Sequence, residues 1–344
     1  MKAVLLTRYG GPEALEFRTD VPDPVAGPGE VRVRVRAASL NNTDIWTREG
    51  AYGSPDDPGA RTGWRRSSFG FPRIQGADVA GEIDQVGAGV SPARLGERVL
   101  VDPMIYDGGE RALVTTDYLG SERDGGFAEL VTVPARNAHA VGGSLSFAEL
   151  ATLPTAATTA MRMLGRAGLR KGETVLVTGA SGGVGSSLVQ IAKALGARVV
   201  AVAGAAKHPA IRDIGADEVV ARDADLPSAL AAVGIDEVDV VADVVAGPSY
   251  GDLLRVLAPL GRYVVAGAIA GPLVETDLRT VYLRQLTLIG SSFGTHEDFA
   301  SVVDLVGRGA FRPLVAARYP LADLAAAQQH FGSKDFVGKL VVEP

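Results

Sequence analysis

The residues best placed to do chemistry lie in one stretch, Thr174-Val-Leu-Val-Thr-Gly-Ala-Ser-Gly-Gly-Val-Gly185. A run of β-formers enters a loop holding Gly179, Ser181, Gly182, Gly183, Val184 and Gly185. A helical stripe of Val184, Leu188, Ile191 and Leu195 follows. A turn without Cβ atoms lets the backbone approach a pyrophosphate, and the helix N-terminus offers it free N–H groups and the positive end of a dipole. Arg198-Val-Val-Ala-Val-Ala203 follows at the distance expected of a strand–helix–strand unit. The chemistry implied is dinucleotide binding. Enzymes that use NAD usually end this second strand on an acidic residue. Here the chain reads Val202-Ala-Gly-Ala-Ala-Lys207, then His208, with no carboxylate. The small Gly204 and the cationic Lys207 suit a 2′-phosphate, so the expected cofactor is NADP (NADPH).

Other chemistry is excluded by composition. The chain has no cysteine, which removes disulfides, thiol nucleophiles and cysteine-based zinc sites together. His139, His208, His296 and His330 are scattered, none three or four residues from another, so no metal site is expected. A formal net charge of −6 argues against nucleic acid as a partner. No apolar run is long enough to span a bilayer and no signal peptide precedes Met1-Lys-Ala-Val-Leu5, so no membrane partner and a cytoplasmic location are expected.

The elements that must position these residues fall into two groups. From Met1 to Val141 short β segments alternate with Gly/Pro turns. Val31-Arg-Val-Arg-Val-Arg36 alternates strictly, a half-buried strand with its arginines on a solvated face. Asn41 or Asn42 can cap a short helix through Trp46. Ile74 to Gly89 predicts two strand pieces broken by glycines, and 102–124 a polar loop. The turn-rich segment 51–71, which holds Tyr52, Trp64 and Phe69, predicts a pocket wall or lid. After Ser146, six strands alternate with helices: 174–178, 198–203, 218–221, 238–243, 262–266 and 286–289. This pattern indicates an α/β fold with a doubly wound parallel sheet whose ligand lies at the carboxyl ends of the strands. The tail after Ser292 is too small to fold alone and is expected to return to the β domain. The domains predicted are 1–152 with 293–344, and 153–292.

At this point the chain resembles the medium-chain dehydrogenase/reductase superfamily, in its zinc-free branch of quinone oxidoreductases and enoyl reductases. The resemblance rests on Asn41-Asn-Thr-Asp44, Gly76-Ala-Asp-Val-Ala-Gly81, Gly96-Glu-Arg-Val99, Gly125-Gly-Phe-Ala-Glu129, Gly179 to Gly185, Gly215-Ala-Asp217, Gly261-Arg262 and Gly338-Lys-Leu340. It implies a GroES-like β-barrel catalytic domain, completed by the tail, and a Rossmann domain. It also implies that Asn41 stands where zinc relatives carry a cysteine, Ala77 and Asp78 where they carry His-Glu, and Thr155 near the third ligand.

Hydride transfer to a conjugated acceptor needs one hydrogen-bond donor and one proton source, rather than a Lewis acid. By resemblance, Asn41 orients the nicotinamide or donates to the substrate oxygen. Tyr52 matches the tyrosine that donates a proton to an enolate, and Thr43 the hydroxyl of the zinc enzymes' proton relay. Asp44, expected to pair with Arg48, and Asp78 are structural. Thr159 is expected beside the nicotinamide, Val244 beside the adenosine ribose, and Ala266 and Gly267 at the carboxamide. Lys339 is expected to reach the cofactor from the tail. The function implied is zinc-independent, NADPH-dependent reduction of a quinone or enone by a homodimer. The alternatives are a zinc-free alcohol/aldehyde dehydrogenase and a non-catalytic NADPH-binding protein.

Overall fold

The structure is a computed structural model that describes residues 1–52 and 69–344. The chain divides into two compact units. The first comprises residues 1–155, 313–335 and 339–344. Its main sheet is seven-stranded and is built around the long strand Glu30–Ser39. Val31, Val33 and Val35 of that strand face the core, while Arg32, Arg34 and Arg36 point the other way. The arginines meet carboxylates of the neighbouring strand Asp78–Val86: Arg32 and Arg34 bond Asp84, and Arg36 bonds Glu82. The alternating pattern therefore encodes both the core face and a ladder of cross-strand ion pairs.

The two strand pieces expected from Ile74 to Gly89 are the short Arg73–Ile74 and the longer Asp78–Val86, parted at Gly76. Gly81 lies inside the second and does not break it. A Cβ there would lie 2.1 Å from the Arg34 carbonyl oxygen, so the glycine lets two backbones close up where the register shifts. The stretch 102–124 also holds more order than a polar loop. Met104–Ile105 pairs antiparallel with Asp117–Tyr118, and Glu110–Leu113 makes a helical turn between them. Phe69, expected in a pocket wall, is buried against Leu6, Ala14 and Tyr9. Trp64 and the rest of that expectation, residues 53–68, lie outside the described residues. The tail strand Lys339–Glu343 enters the sheet between Glu30–Ser39 and Val315–Pro320, parallel to the latter and antiparallel to the former.

The second unit comprises residues 156–312 and 336–338. Its sheet has six strands, all parallel, and the first strand, Thr174–Val177, lies third in the order. Arg198–Ala203 and then Glu218–Ala221 lie to one side; Val238–Asp243, Leu257–Val265 and Thr287–Gly290 lie to the other. The strand order reverses beside Thr174–Val177, which is the switch point where open α/β sheets bind ligands. Strands covered on both faces read as apolar runs, and Val175, Leu176, Val177, Val199, Val200 and Val241 are fully buried. The helix His296–Gly307 belongs to this unit, so the chain returns to the first unit at Pro313 rather than at 293. Its core residues Phe299 and Val302 are fully buried. Gln190 also ties down Arg312, accepting from its N–H and donating to its carbonyl.

Candidate active site: a nucleotide cradle and a lysine-centred polar cluster

In the second unit the strand Thr174–Val177 ends in a turn whose Gly179 has φ +57°. The Gly182 N–H donates to the Gly179 carbonyl at 3.0 Å, and the helix Gly183–Ala194 starts immediately after. Gly185 explains why the turn is so tight: a Cβ there would lie 2.1 Å from the Gly179 oxygen and 2.6 Å from its carbonyl carbon. At Gly182 a Cβ would meet nothing closer than 3.6 Å, so the protein itself leaves room at that position. These residues fit a dinucleotide pyrophosphate, with backbone N–H groups at the start of a twelve-residue helix and space above Gly182.

The other walls of the cradle come from the neighbouring strand ends. Val244 and Val245 pack over Gly179, where a Cβ would approach their side chains to 3.0 and 3.1 Å. Gly267 lies against the Val244 carbonyl, and the Ala266 N–H donates to the Asp243 carbonyl. Asp243 fixes this corner. Its fully buried carboxylate accepts from Thr178 Oγ1 (2.5 Å), Tyr263 OH (2.6 Å) and the Val245 and Ala246 N–H groups. Burial, with Asp243 alongside, pushes the Tyr263 phenol up, so it stays a donor. Gly179, Val244, Ala266 and Gly267 thus come together. Thr159 is buried in the helix Pro154–Ala167.

At the end of Arg198–Ala203, Gly204 precedes a turn that brings Lys207 Nζ to 3.3 Å from Ser181 Oγ. Arg222 is a further cation here. Its N–H donates to the Ala203 carbonyl at 3.1 Å, which sets the start of its side chain beside the end of that strand. Sequence reasoning missed it, although two adjacent parallel strands must end side by side.

In the first unit, three neighbouring strand ends bring a second set of residues together. Ser39 pairs with Asp78 across one ladder and with Val341 across the next. Lys339 follows into this group and is buried, with 4 % of its surface exposed. Its Nζ donates to Asn41 Oδ1 (2.5 Å) and Asp78 Oδ2 (2.7 Å). Asp78, wholly buried, also accepts from Ser39 Oγ (2.9 Å) and from the Thr155 N–H (2.8 Å). The Thr155 hydroxyl lies 2.8 Å from the Tyr118 hydroxyl. Burial, then the Asp78 charge, holds the Tyr118 phenol well above its ordinary value. Lys339, expected at the cofactor, bonds Asn41 and Asp78 with two of its three donors. A buried cation without partners would be far costlier than this pair.

Asn41 is the N-cap residue of the helix Asn42–Arg48, and its N–H donates to the Asp44 carboxylate at 2.7 Å. Arg48, expected opposite Asp44, instead bonds Gln328 and the Gly10 carbonyl. Deep burial raises Asp44 to about 7; the Asn41 N–H opposes the rise and the nearby Asp78 adds to it. Tyr52 stacks edge-on to Trp46 at 5.7 Å. Burial pushes its phenol up to about 12, against a hydrogen bond with Thr43. Thr43 and Tyr52 are therefore neighbours, as are Asn41 and Lys339. One polar atom is conspicuous: Asn41 Nδ2 is buried and has no hydrogen-bond partner among the described residues.

Zinc does not fit this set. Asn41, Asp78 and Thr155 offer one carboxylate, one amide oxygen and one hydroxyl. The carboxylate and the amide oxygen already face the Lys339 ammonium, whose positive charge would repel the metal. Among the described residues no three His, Cys, Asp or Glu side chains group to hold a metal ion.

Comparison with known proteins agrees with this architecture. Residues 27–143 match the family model of the alcohol dehydrogenase GroES-like domain, and residues 183–308 match that of the zinc-binding dehydrogenases. The chain is 32% identical to an acryloyl-coenzyme A reductase of Metallosphaera sedula, over 99% of each chain. It is 28% identical to a quinone oxidoreductase of Lama guanicoe, over 99% of this chain and 97% of that one. A solved Sinorhizobium meliloti 1021 protein, provisionally assigned as an alcohol dehydrogenase, superposes with a TM-score of 0.95 at 53% identity, covering 100% of this chain and 96% of the other. A short chain alcohol dehydrogenase of E. coli CFT073, solved with NADH, gives 0.84 at 26% identity, covering 100% and 99%. With its GroES-like and Rossmann units, this chain is an oxidoreductase that belongs to the medium-chain dehydrogenase/reductase superfamily.

Proposed function

We propose that this oxidoreductase transfers a hydride from NADPH to a quinone or an α,β-unsaturated carbonyl, without zinc. The observation that carries the reading is the polar cluster of the first unit. Where a Lewis acid would need open ligands, the chain has an amide, a carboxylate and a lysine already bonded to one another. Such a cluster does little for a simple aldehyde, whose oxygen takes up full alkoxide charge. It suffices for a conjugated acceptor, whose charge spreads onto a distant oxygen that needs only a hydrogen bond.

The bound nicotinamide supplies the hydride. The chain's own residues do the rest. The turn from Gly179 to Gly185 and the start of its helix would hold the pyrophosphate, Val244 the adenosine ribose, and Ala266 and Gly267 the carboxamide. Asn41 orients the acceptor through its amide. Tyr52, kept protonated by burial and bonded to Thr43, returns a proton to the α-carbon of the enolate. Preference for NADPH is supported by the end of the second Rossmann strand, which carries Lys207 beside Ser181, Arg222 next to Ala203 and no carboxylate.

The Rossmann sheet also supports a homodimer. Its edge strand Thr287–Gly290 follows the helix Leu278–Leu283, which buries none of its residues, and Leu273, Leu278, Tyr282 and Leu283 are all exposed.

Steady-state assays with a quinone, an enone and a primary alcohol test the reading, each with and without a zinc chelator. Reduction of the quinone or enone, unchanged by chelation, is expected. Activity on the alcohol alone, or its loss on chelation, would refute it. The second reading, alcohol/aldehyde oxidoreduction, has the 53% identical Sinorhizobium meliloti structure in its favour.

A further inference from the structure

Resting on that reading, we propose that Lys339 and Asp78 are positioning residues that lock the Asn41 amide so that Nδ2 donates to the acceptor's carbonyl oxygen. A primary amide has two nearly isosteric orientations, and its neighbours decide between them. Lysine carries donors only. With Lys339 Nζ 2.5 Å away, the flipped amide would set N–H groups against an ammonium, so Oδ1 must face the lysine. Nδ2 is thereby turned the other way. It is buried, on a residue 8 % exposed, and has no acceptor among the described residues. A buried donor left unmet is costly enough to call for a partner when the site is in use.

The lysine in turn has little freedom. Asp78 Oδ2 holds it, while Ser39 Oγ and the Thr155 N–H hold Asp78. The sheet fixes all of this from below: Leu40 N–H donates to the Leu340 carbonyl, and Ser39 is the register partner of Asp78. Asn41 is thus set by side chains 298 and 37 residues away in the chain, the second through the lysine. During hydride transfer an electron pair moves onto the acceptor oxygen. A donor already aimed there needs no reorganisation.

The chain has only three asparagines, Asn41, Asn42 and Asn137, so ¹⁵N-asparagine labelling gives three side-chain amide pairs in an NMR spectrum. The variant Asn41→Asp identifies the Asn41 pair by its loss. Adding NADP⁺ should leave that pair in place, and adding 1,4-naphthoquinone to the NADP⁺ complex, where no hydride is available, should move it downfield. The double variant Lys339→Met/Asp78→Asn removes both buried charges together. It should abolish the naphthoquinone response and lower kcat about 10- to 100-fold, with the NADPH Kd within about twofold of wild type. Lys339→Arg, again a donor-only cation, should restore the response. Asn41→Asp keeps an oxygen toward Lys339 but deletes the donor, and should lower kcat by about 100-fold. It reads the same point if the double variant does not fold.

The proposal is overturned if NADP⁺ alone moves the Asn41 pair, if either variant keeps its kcat, or if the variants weaken NADPH binding instead. If wild type reduces neither quinone nor enone, the functional reading fails. The double variant's effect on the Asn41 resonance in the cofactor-free protein still reports whether Lys339 sets the amide.

Discussion

Two neighbouring glycines of the nucleotide turn should fail in opposite ways when changed to alanine. At Gly185 the added methyl would sit 2.1, 2.6 and 2.7 Å from Gly179 O, Gly179 C and Ala180 Cα, all backbone atoms that cannot swing away. Overpacking of this kind costs about 1–3 kcal/mol. For a folding unit of this size each kcal/mol shifts Tm by roughly 2–4 °C, so Gly185→Ala should lower Tm by about 2–12 °C. At Gly182 the nearest atom to an added Cβ is 3.6 Å away and φ is −80°, so alanine fits the free protein. Losing the preferred glycine at an N-cap costs about 0.5–1.5 kcal/mol, and the stiffer unfolded chain returns about 0.4–1 kcal/mol. Tm should therefore hold within about 2 °C.

The methyl at Gly182 would nevertheless stand where a pyrophosphate meets the N–H groups of the helix start. Loss of one charge-assisted hydrogen bond, about 1.5–3 kcal/mol, weakens binding roughly 10- to 150-fold. Titration of NADPH fluorescence against each variant, with Tm measured by calorimetry, separates the two effects. If Gly182→Ala bound NADPH within about twofold of wild type, the pyrophosphate would not lie on this turn. A large fall in its Tm would show that the space above Gly182 is filled by the protein itself.

Tyr52→Phe should slow enone reduction at least about tenfold more than quinone reduction, because only the enolate carbon demands a placed proton; equal, undiminished rates for both remove the phenol from the mechanism. Since the Tyr52 phenol titrates near 12, enone turnover should show no decline from its ionisation below about pH 10, and a decline near pH 9 that vanishes in Tyr52→Phe would contradict its burial. Asp44 is raised to about 7 in the folded chain, so the native state holds a proton that the unfolded chain releases near 4. Stability from this group is full below about pH 4 and is lost as pH rises toward 7. Asp44→Asn should flatten that fall in Tm, and an unchanged pH profile would show that Asp44 is ionised when folded. Lys207→Ala should raise the Kd for NADPH about tenfold or more while leaving that for NADH within about twofold; equal losses would remove the lysine from 2′-phosphate recognition.

Much of the fold could be read directly because local pattern and burial agree. The parallel strands carry apolar runs such as Val199 and Val200, and Val31 to Arg36 alternates because one face meets the core and the other meets Asp84 and Glu82. Misreadings arose where a residue's usual meaning was overridden by its surroundings. A glycine weakens a strand by its usual meaning, yet Gly81 sits inside Asp78–Val86 because it permits a close backbone approach. The Asp102 to Asp124 stretch looked polar, yet Leu113, Tyr118 and Leu119 are buried there. The helix Leu278–Leu283 escaped notice because it has no buried face to impose a period. For the site, the nucleotide turn is local and therefore legible. The contact between Lys339 and Asn41 depends on strand order within a sheet, which no spacing along the chain reveals. Arg222 was hidden for the same reason, since its neighbour Ala203 belongs to another strand.

The position of Lys339–Glu343 in the seven-stranded sheet also bears on how the protein is made. That strand lies between Glu30–Ser39 and Val315–Pro320, so the Ala38–Ser39 end of Glu30–Ser39 lacks its second neighbour until it arrives. Asn41 and Lys339 are 298 residues apart, and ribosomes add about 5–20 residues each second, so roughly 15–60 s separate their synthesis. Through that interval Asp78 must wait without its buried counter-charge, and the Ser39 edge stands open to other strands. A ribosome stalled short of Lys339 would release a chain whose nucleotide turn is already written but whose polar cluster cannot form, and whose open sheet edge would be a natural target for chaperones.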